Sequence, residues 1–372
     1  MRRIFVHPIV SSLLSLMLVA IAGLVSYGQT STQSTAYTAV DVPGAADAAQ
    51  GPRALNNLGD IIGRASSSLP AQAGATIWSR DGSQIDRPSA SAGGDFSSAC
   101  AINDGREIAG AANIGESIVP FVSTPTGGVQ RIPLLPGDNC GQAFSINKQG
   151  NVAGYSSGPT GVKAFLWIRG TGVHNLGNLR GGGSSRARDI NDPNEVVGTA
   201  RSATGDRAVL WTKAGNVRDL GTLPGDTSSE ATAINNAGAV VGYSNGPAGT
   251  RAFLWTKATG MQNLGVLPGG DFSRALGIND AGDVVGASTS SSGDRAFLWT
   301  RGAGMKDLND AVSNDAGVDF VEAHAINNKG QILVMAMERH EASMSDQTHA
   351  NHHSVCAPAP EATYLLIPVR AR

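Results

Sequence analysis

Short apolar runs recur along this chain at a nearly constant spacing, and each ends in the same polar signal. An apolar residue followed by asparagine occurs at Leu55-Asn56, Ile102-Asn103, Ile146-Asn147, Ile190-Asn191, Ile234-Asn235, Ile278-Asn279 and Ile326-Asn327. The steps between these asparagines are 47, 44, 44, 44, 44 and 48 residues. Tryptophan keeps the same beat at Trp167, Trp211, Trp255 and Trp299; Trp78 stands about two periods earlier, with Phe121 near the skipped position. A fixed period of this size marks a repeat architecture in which each unit is one supersecondary motif.

One unit reads as four short strands. From Ser273, strand one runs to Ile278, and Asn279-Asp280-Ala281-Gly282 supplies a tight turn of residues that tolerate positive φ. Strand two is Asp283 to Ala287, followed by a Ser/Gly loop from Ser288 to Asp294. Strand three is Arg295 to Thr300, and Gly302 to Gly304 turns the chain into strand four, Met305 to Leu308. In the preceding unit strand four is expected over Met261 to Leu267, ending in Pro268-Gly269-Gly270, where proline stops the ladder.

Ala252-Phe253-Leu254-Trp255 and Val240-Val241 are apolar on both alternating faces. A sheet with one wet face would alternate apolar and polar residues, so these sheets are covered on both sides. Tyr37 to Gly44 resembles a fourth strand with its Pro-Gly exit. The last unit offers strand one near Asn327, strand two at Gln331 to Met335 and strand three at Tyr364 to Ile367, then ends without a fourth. The expectation is an all-β, seven-bladed β-propeller of four-stranded blades whose last blade is closed by the N-terminal strand, which removes the open sheet edges. The alternative is an open β-solenoid.

Three segments carry a family resemblance: Arg251-Ala252-Phe253-Leu254-Trp255-Thr256, Asn263-Leu264-Gly265-Val266-Leu267-Pro268-Gly269-Gly270 and Ile278-Asn279-Asp280-Ala281-Gly282. Together they resemble the HAF extracellular repeat, over nearly all of the chain that follows the leader. Lys163, Arg251 and Arg295 stand where the family's signature has its first histidine. The resemblance implies a secreted or cell-surface protein and supplies no catalytic residues.

The N-terminus reads as a leader. Arg2 and Arg3 precede an apolar run from Leu13 to Val25, and Ser26-Tyr27-Gly28 offers a cleavage site, so removal of residues 1–28 is expected. The alternative is a membrane anchor, for which the run is short. The rest, 29–372, is expected to be a single propeller with a His-rich insertion at 338–360, and it holds no later membrane span. Composition supports a packed, turn-rich fold: 41% hydrophobic, 16% charged and 48 glycines. Removal of the leader takes the net charge from −2 to −4, which argues against nucleic acid as a partner. Cys100, Cys140 and Cys356 are an odd set, and an exported protein suggests at most one disulfide, between Cys100 and Cys140.

The candidate sites each have a structural reading beside the functional one. The seven asparagines could ring a ligand at one end of the channel, or bond their own turns, which is the preferred reading. The tryptophans could stack sugars, or pack between blades, which is again preferred. One face should gather the loops between strands two and three and between strand four and the next strand one. Asp95, Asp138, Asp226 and Asp271 with Lys163, Arg207, Arg251 and Arg295 would form a polar rim there, or a set of solvated charges. His340, His349, His352 and His353, near Glu338, Glu341 and Asp346, could bind a metal, though without the spacing of a known motif. Serine-elbow, Walker and EF-hand motifs are absent, and no cofactor is implied. The expected function is a secreted, non-enzymatic scaffold that binds a protein or glycan through its loop face. The alternatives are a hydrolase or lyase with its site in the axial pocket, and metal binding by the His-rich loop.

Overall fold

The computed structural model describes residues 36–43, 54–64, 75–86, 96–312, 317–339 and 362–369. They form seven four-stranded antiparallel sheets. Six are consecutive stretches of chain, blades 1 to 6, at 54–86, 96–131, 140–175, 185–219, 228–263 and 273–307. Blade 7 contains Val318–Ile326, Ile332–Glu338 and Ala362–Pro368, and its outer strand is Tyr37–Asp41 from the start of the domain. Tyr37 pairs with Pro368 and Asp41 with Tyr364, antiparallel, so the chain closes on itself as a seven-bladed β-propeller. Among the described residues no helix is long and apolar enough to cross a membrane.

Each hydrophobic cluster lies between two blades. Ala153, Ala164 and Leu166 of blade 3 meet Ile190, Val196 and Trp211 of blade 4. Val197 and Leu210 of blade 4 meet Ile234, Phe253 and Trp255 of blade 5. The ring is completed where Leu333 and Leu365 of blade 7 meet Ile61 and Trp78 of blade 1. This explains the apolar-on-both-faces pattern: Ala252, Phe253, Leu254 and Trp255 are all buried, because each blade packs a neighbour on either side. Trp78, Trp167, Trp211 and Trp255 are buried in these interfaces, as the packing reading requires, and Trp299 is partly buried.

One detail sharpens the sequence reading and two differ from it. Phe121, near the skipped tryptophan position, proves to pair with Gly110 as Phe165 pairs with Gly154, and the tryptophan place itself is taken by Ser123. The outer strand of blade 5 is only Gly260–Asn263. Asn263 Oδ1 accepts from the Gly265 N–H at 2.8 Å and turns the chain, while Leu264 and Leu267 plug the blade interface. The Ser288–Asp294 segment is mostly strand, since the second strand reaches Ser290 and the third starts at Gly293, whose φ of +96° carries the chain out of the Ser291-Ser292 turn.

In blades 2 to 7 the inner strand carries a β-bulge, as between Ala143 and Ser145 or between Ala231 and Ala233. A bulge re-aims one side chain and sharpens the local twist. It also brings the second strand close. A Cβ on Gly154 would stand 2.1 Å from the Gln142 carbonyl oxygen, and one on Gly242 would stand 2.0 Å from that of Glu230. In blades 2 to 6 glycine stands opposite the bulge; in blade 7, whose inner strand has a second irregularity between Phe320 and Glu322, Val334 takes that place.

Candidate functional site

All seven inner strands run in the same direction around the axis and enclose a cavity of about 550 Å³. The bulge residues Cys100, Phe144, Arg188, Thr232, Leu276 and His324 line it. Its two ends are built differently.

The far end is a belt of asparagines. In each blade the Oδ1 of the asparagine after the inner strand accepts from the backbone N–H four residues on, at 2.8 to 3.0 Å. The structural reading of these residues therefore describes the oxygen. The nitrogen does something else: Nδ2 donates to the carbonyl oxygen of the equivalent asparagine in the next blade. Asn56 donates to Asn103, Asn103 to Asn147, Asn147 to Asn191, Asn191 to Asn235, Asn235 to Asn279, Asn279 to Asn327, and Asn327 back to Asn56, over 2.8 to 3.5 Å. A second belt uses the following residue, whose N–H donates to the side-chain oxygen of its counterpart. The pairs are Asn57 to Asp104, Lys148 to Asp192, Asp192 to Asn236, Asn236 to Asp280, Asp280 to Asn328 and Asn328 to Asn57. Lys148 breaks it, because an ammonium offers no acceptor to Asp104.

The other end is the start of the inner strands, and it opens on the loop face. The two loop types do share that face: Thr289 N–H donates to the Phe272 carbonyl, and Ser291 N–H to that of Pro268. Here a charged network crosses the blades. Arg188 reaches Glu230 at 2.8 Å, and the Tyr243 hydroxyl donates to the same carboxylate at 2.9 Å. Burial, with the Glu230 charge beside it, pushes the Tyr243 phenol up to about 12. Arg274 pairs with Glu322, and His324 Nδ1 lies 3.5 Å from the other oxygen of that carboxylate. The Arg188 guanidinium stands over the Phe144 ring and that of Arg186 over the Tyr155 ring, each at 5.2 Å from the centroid. Deeper in, Asp189 accepts from Ser145 Oγ at 2.6 Å and from the N–H groups of Ile190 and Ile234, tying three blades together. Burial raises its pKa against the pull of those donors.

The sequence reading did not single out this network. Its signal was present: Arg186, Glu230 and Arg274 are spaced by 44, and Glu322 follows 48 later, each five places before its asparagine. It was hidden because charges in strand one look like a solvated face until the ring turns them toward the axis.

The residues singled out for the loop face are held in separate structural contacts. Lys163 Nζ is 2.6 Å from Asp138, whose side chain is fully buried and also accepts from Ser156 Oγ. Arg207 donates to the Thr227 carbonyl and Arg251 to that of Asp271, so each clasps the loop leading to the next blade. Asp271 accepts from Thr289 Oγ1, and Asp226 has a buried Oδ2 with no donor from the protein. Arg295 faces Asp307 at 3.6 Å and Asp319 at 3.3 Å. These side chains do not converge. Asp95 and the four histidines, His340, His349, His352 and His353, lie outside the described residues, as does Cys356. Cys100 and Cys140 form no disulfide. In the repeat register Cys100 is a bulge residue equivalent to Phe144, whereas Cys140 begins its strand, so the two occupy different levels of the axis.

Solved structures share this architecture. A streptogramin B lyase aligns with a TM-score of 0.51 at 11% identity, covering 90% of this chain and 97% of that one. A prolyl endopeptidase aligns with a TM-score of 0.50 at 12% identity, covering 78% of this chain and 47% of that one, so it extends well beyond the propeller. A gluconolactonase from Xanthomonas campestris aligns at 0.43 and 8% identity over 90% of both chains. At such identities the likeness is one of fold. Neither a protein-family model nor a curated protein matches the sequence.

Proposed function

We propose that this protein is a secreted, non-enzymatic scaffold that binds its ligand on the loop face, at the mouth of the axial channel. Its leader-like N-terminus and its resemblance to HAF-type extracellular repeats support export. The observation that carries the binding reading is the charged network at the mouth. Its carboxylates are already bonded: Glu230 to Arg188 and Tyr243, Glu322 to Arg274, and the deeper Asp189 to Ser145 Oγ and the N–H groups of Ile190 and Ile234. Acid-base catalysis wants a carboxyl group poised to exchange a proton with substrate. A network of closed ion pairs instead presents fixed donors and rings on a rigid frame, which is what a recognition surface needs. Loops on such a frame are where propellers and other rigid folds place their contacts.

The test is a glycan array and a pull-down with the secreted form, each repeated with Ser292→Trp on the loop face and Lys257→Trp on the opposite face. The expected result is a ligand lost with Ser292→Trp and kept with Lys257→Trp. Silence in both assays, or loss with Lys257→Trp alone, overturns the reading.

A further inference from the structure

Around the axial mouth the residues five places before each asparagine run Gln142, Arg186, Glu230, Arg274 and Glu322 from blade 3 to blade 7. With Arg188 added, three guanidiniums face the two carboxylates of this level; a third carboxyl, Asp189, lies deeper and is taken up by Ser145 and two backbone N–H groups. Arg188 is matched by Glu230 and Arg274 by Glu322. The unmatched cation is Arg186. Its neighbour in blade 3 is Gln142, whose amide is turned to Cys100 Sγ at 3.3 Å. Among the described residues Arg186 has no carboxylate partner; its exposed side chain rests on the Tyr155 ring.

Arg186 does not stand alone. Phe144 and Tyr155 lie 5.7 Å apart, and each carries a guanidinium, from Arg188 and Arg186 respectively. Stacking on an aromatic face fixes the guanidinium plane and leaves its edge N–H donors free, which pre-orients the fork that grips a carboxylate. This local surplus of positive charge sits in a chain whose net charge is −2. Below it lies the 550 Å³ cavity, lined by Thr232, Ser145 and the asparagines and, towards its far end, by Asp104, Asp192 and Asp280; an anionic group is therefore held at the mouth by Arg186 and its neutral rings enter the cavity. A cavity of that size takes one or two sugar rings and excludes a folded protein surface.

From this we infer that the mouth binds the carboxylate of an acidic sugar, a uronate at the end of an oligosaccharide, with Arg186 as the gripping residue. The inference rests on the loop-face binding reading and adds the ligand class to it.

Calorimetric titration with oligogalacturonate and with its methyl ester tests it, using wild type, Arg186→Gln, Arg186→Lys and Arg218→Gln. The last removes a guanidinium stacked on Trp255, at 4.9 Å, on an outer strand away from the axis. Matching unfolding midpoints would show that each variant is folded. The wild type should prefer the acid over the ester by at least about tenfold, the value of one charge-assisted contact. Arg186→Gln should abolish that preference, Arg186→Lys should keep part of it, and Arg218→Gln should keep all of it. Equal binding of acid and ester by wild type, or an unchanged preference in Arg186→Gln, overturns the inference. A wild type that ignores both but binds a neutral glycan on the array overturns the uronate inference alone. Silence across array, pull-down and titration removes both it and the loop-face reading.

Discussion

Asn327 in the last blade donates from Nδ2 to the carbonyl oxygen of Asn56 in the first, 2.8 Å away and 271 residues apart in sequence. This bond closes the asparagine belt at the joint where Tyr37–Asp41 closes the sheet. Asn327 Oδ1 also accepts from the N–H groups of Lys329 and Gln331. One side chain thus shapes its own turn and ties the next blade.

Removing an asparagine of the belt strands buried donors on one side and a buried carbonyl on the other. Asn235→Ala should destabilise by about 2–4 kcal/mol in urea unfolding, since each unsatisfied buried group costs about 1–3 kcal/mol. Asn235→Asp should also destabilise, because it keeps the acceptor for Ala239 N–H but sets an oxygen against the Asn279 carbonyl. If the aspartate variant were as stable as wild type, the cross-blade bond would carry no weight.

The second belt can be completed. Lys148→Asn would offer an acceptor to the Asp104 N–H, as Asp104 does for Asn57 at 2.7 Å. A gain of about 0.5–1.5 kcal/mol is expected, the net value of one hydrogen bond. An unchanged or lowered unfolding midpoint would refute it.

Gly242→Ala should cost at least about 2 kcal/mol, because overpacking against rigid backbone is not relieved by a rotamer change. The added Cβ would stand 2.0 Å from the Glu230 carbonyl oxygen. Gly260→Ala provides the contrast. It has a φ of +69° but open space around it, so it should cost only about 1 kcal/mol of backbone strain.

Two non-glycine residues hold positive φ at the turn place otherwise filled by glycine: Arg106 at +56° and Asn194 at +67°. Both use their side chains to reach the preceding blade. Arg106 bonds both oxygens of the buried Asp60 carboxylate, and Asn194 Oδ1 accepts from Asn147 and Asn151. Arg106→Gly and Arg106→Ala both lose the ion pair, but only alanine keeps the left-handed strain. The glycine variant should therefore be the more stable of the two by about 1 kcal/mol in chemical denaturation.

Tyr37, in the closing strand, has its phenol pushed up to about 12, by burial first and by the Asp283 charge second. A raised phenol pKa disfavours the ionised form in the folded state. Its stabilising contribution is full below pH about 10 and is lost as pH rises towards 12. A shift of this size corresponds to about 2–3 kcal/mol. Stability measured across this window should fall less steeply in Tyr37→Phe than in wild type; parallel curves would exclude Tyr37 as the source.

The repeat was legible because packing between like neighbours imposes a period, and the period is written in residues that can serve only one purpose there. The Ile-Asn pairs, the buried Phe-Leu-Trp runs and the turn glycines placed the strands of blade 6 to within a few residues. In blade 2 the skipped tryptophan place is Ser123, two residues beyond Phe121, which the sequence left open because a side chain's identity does not reveal its pairing partner. The charged mouth was missed for a related reason: Arg188 and Glu230 are 42 residues apart and meet only when two blades are set side by side.

The sequence alone therefore determined the number of blades, their four-strand form and the closure by Tyr37–Asp41, since these follow from local periodicity and from a missing strand at one end matched by a spare one at the other. The tertiary structure alone decided that the asparagine amides link blade to blade, that Cys100 and Cys140 stand at different levels, and that Arg186 is left without a carboxylate while its neighbours are paired. Those outcomes depend on register between chain segments far apart, and on bulges that turn single side chains toward the axis, which no local pattern encodes.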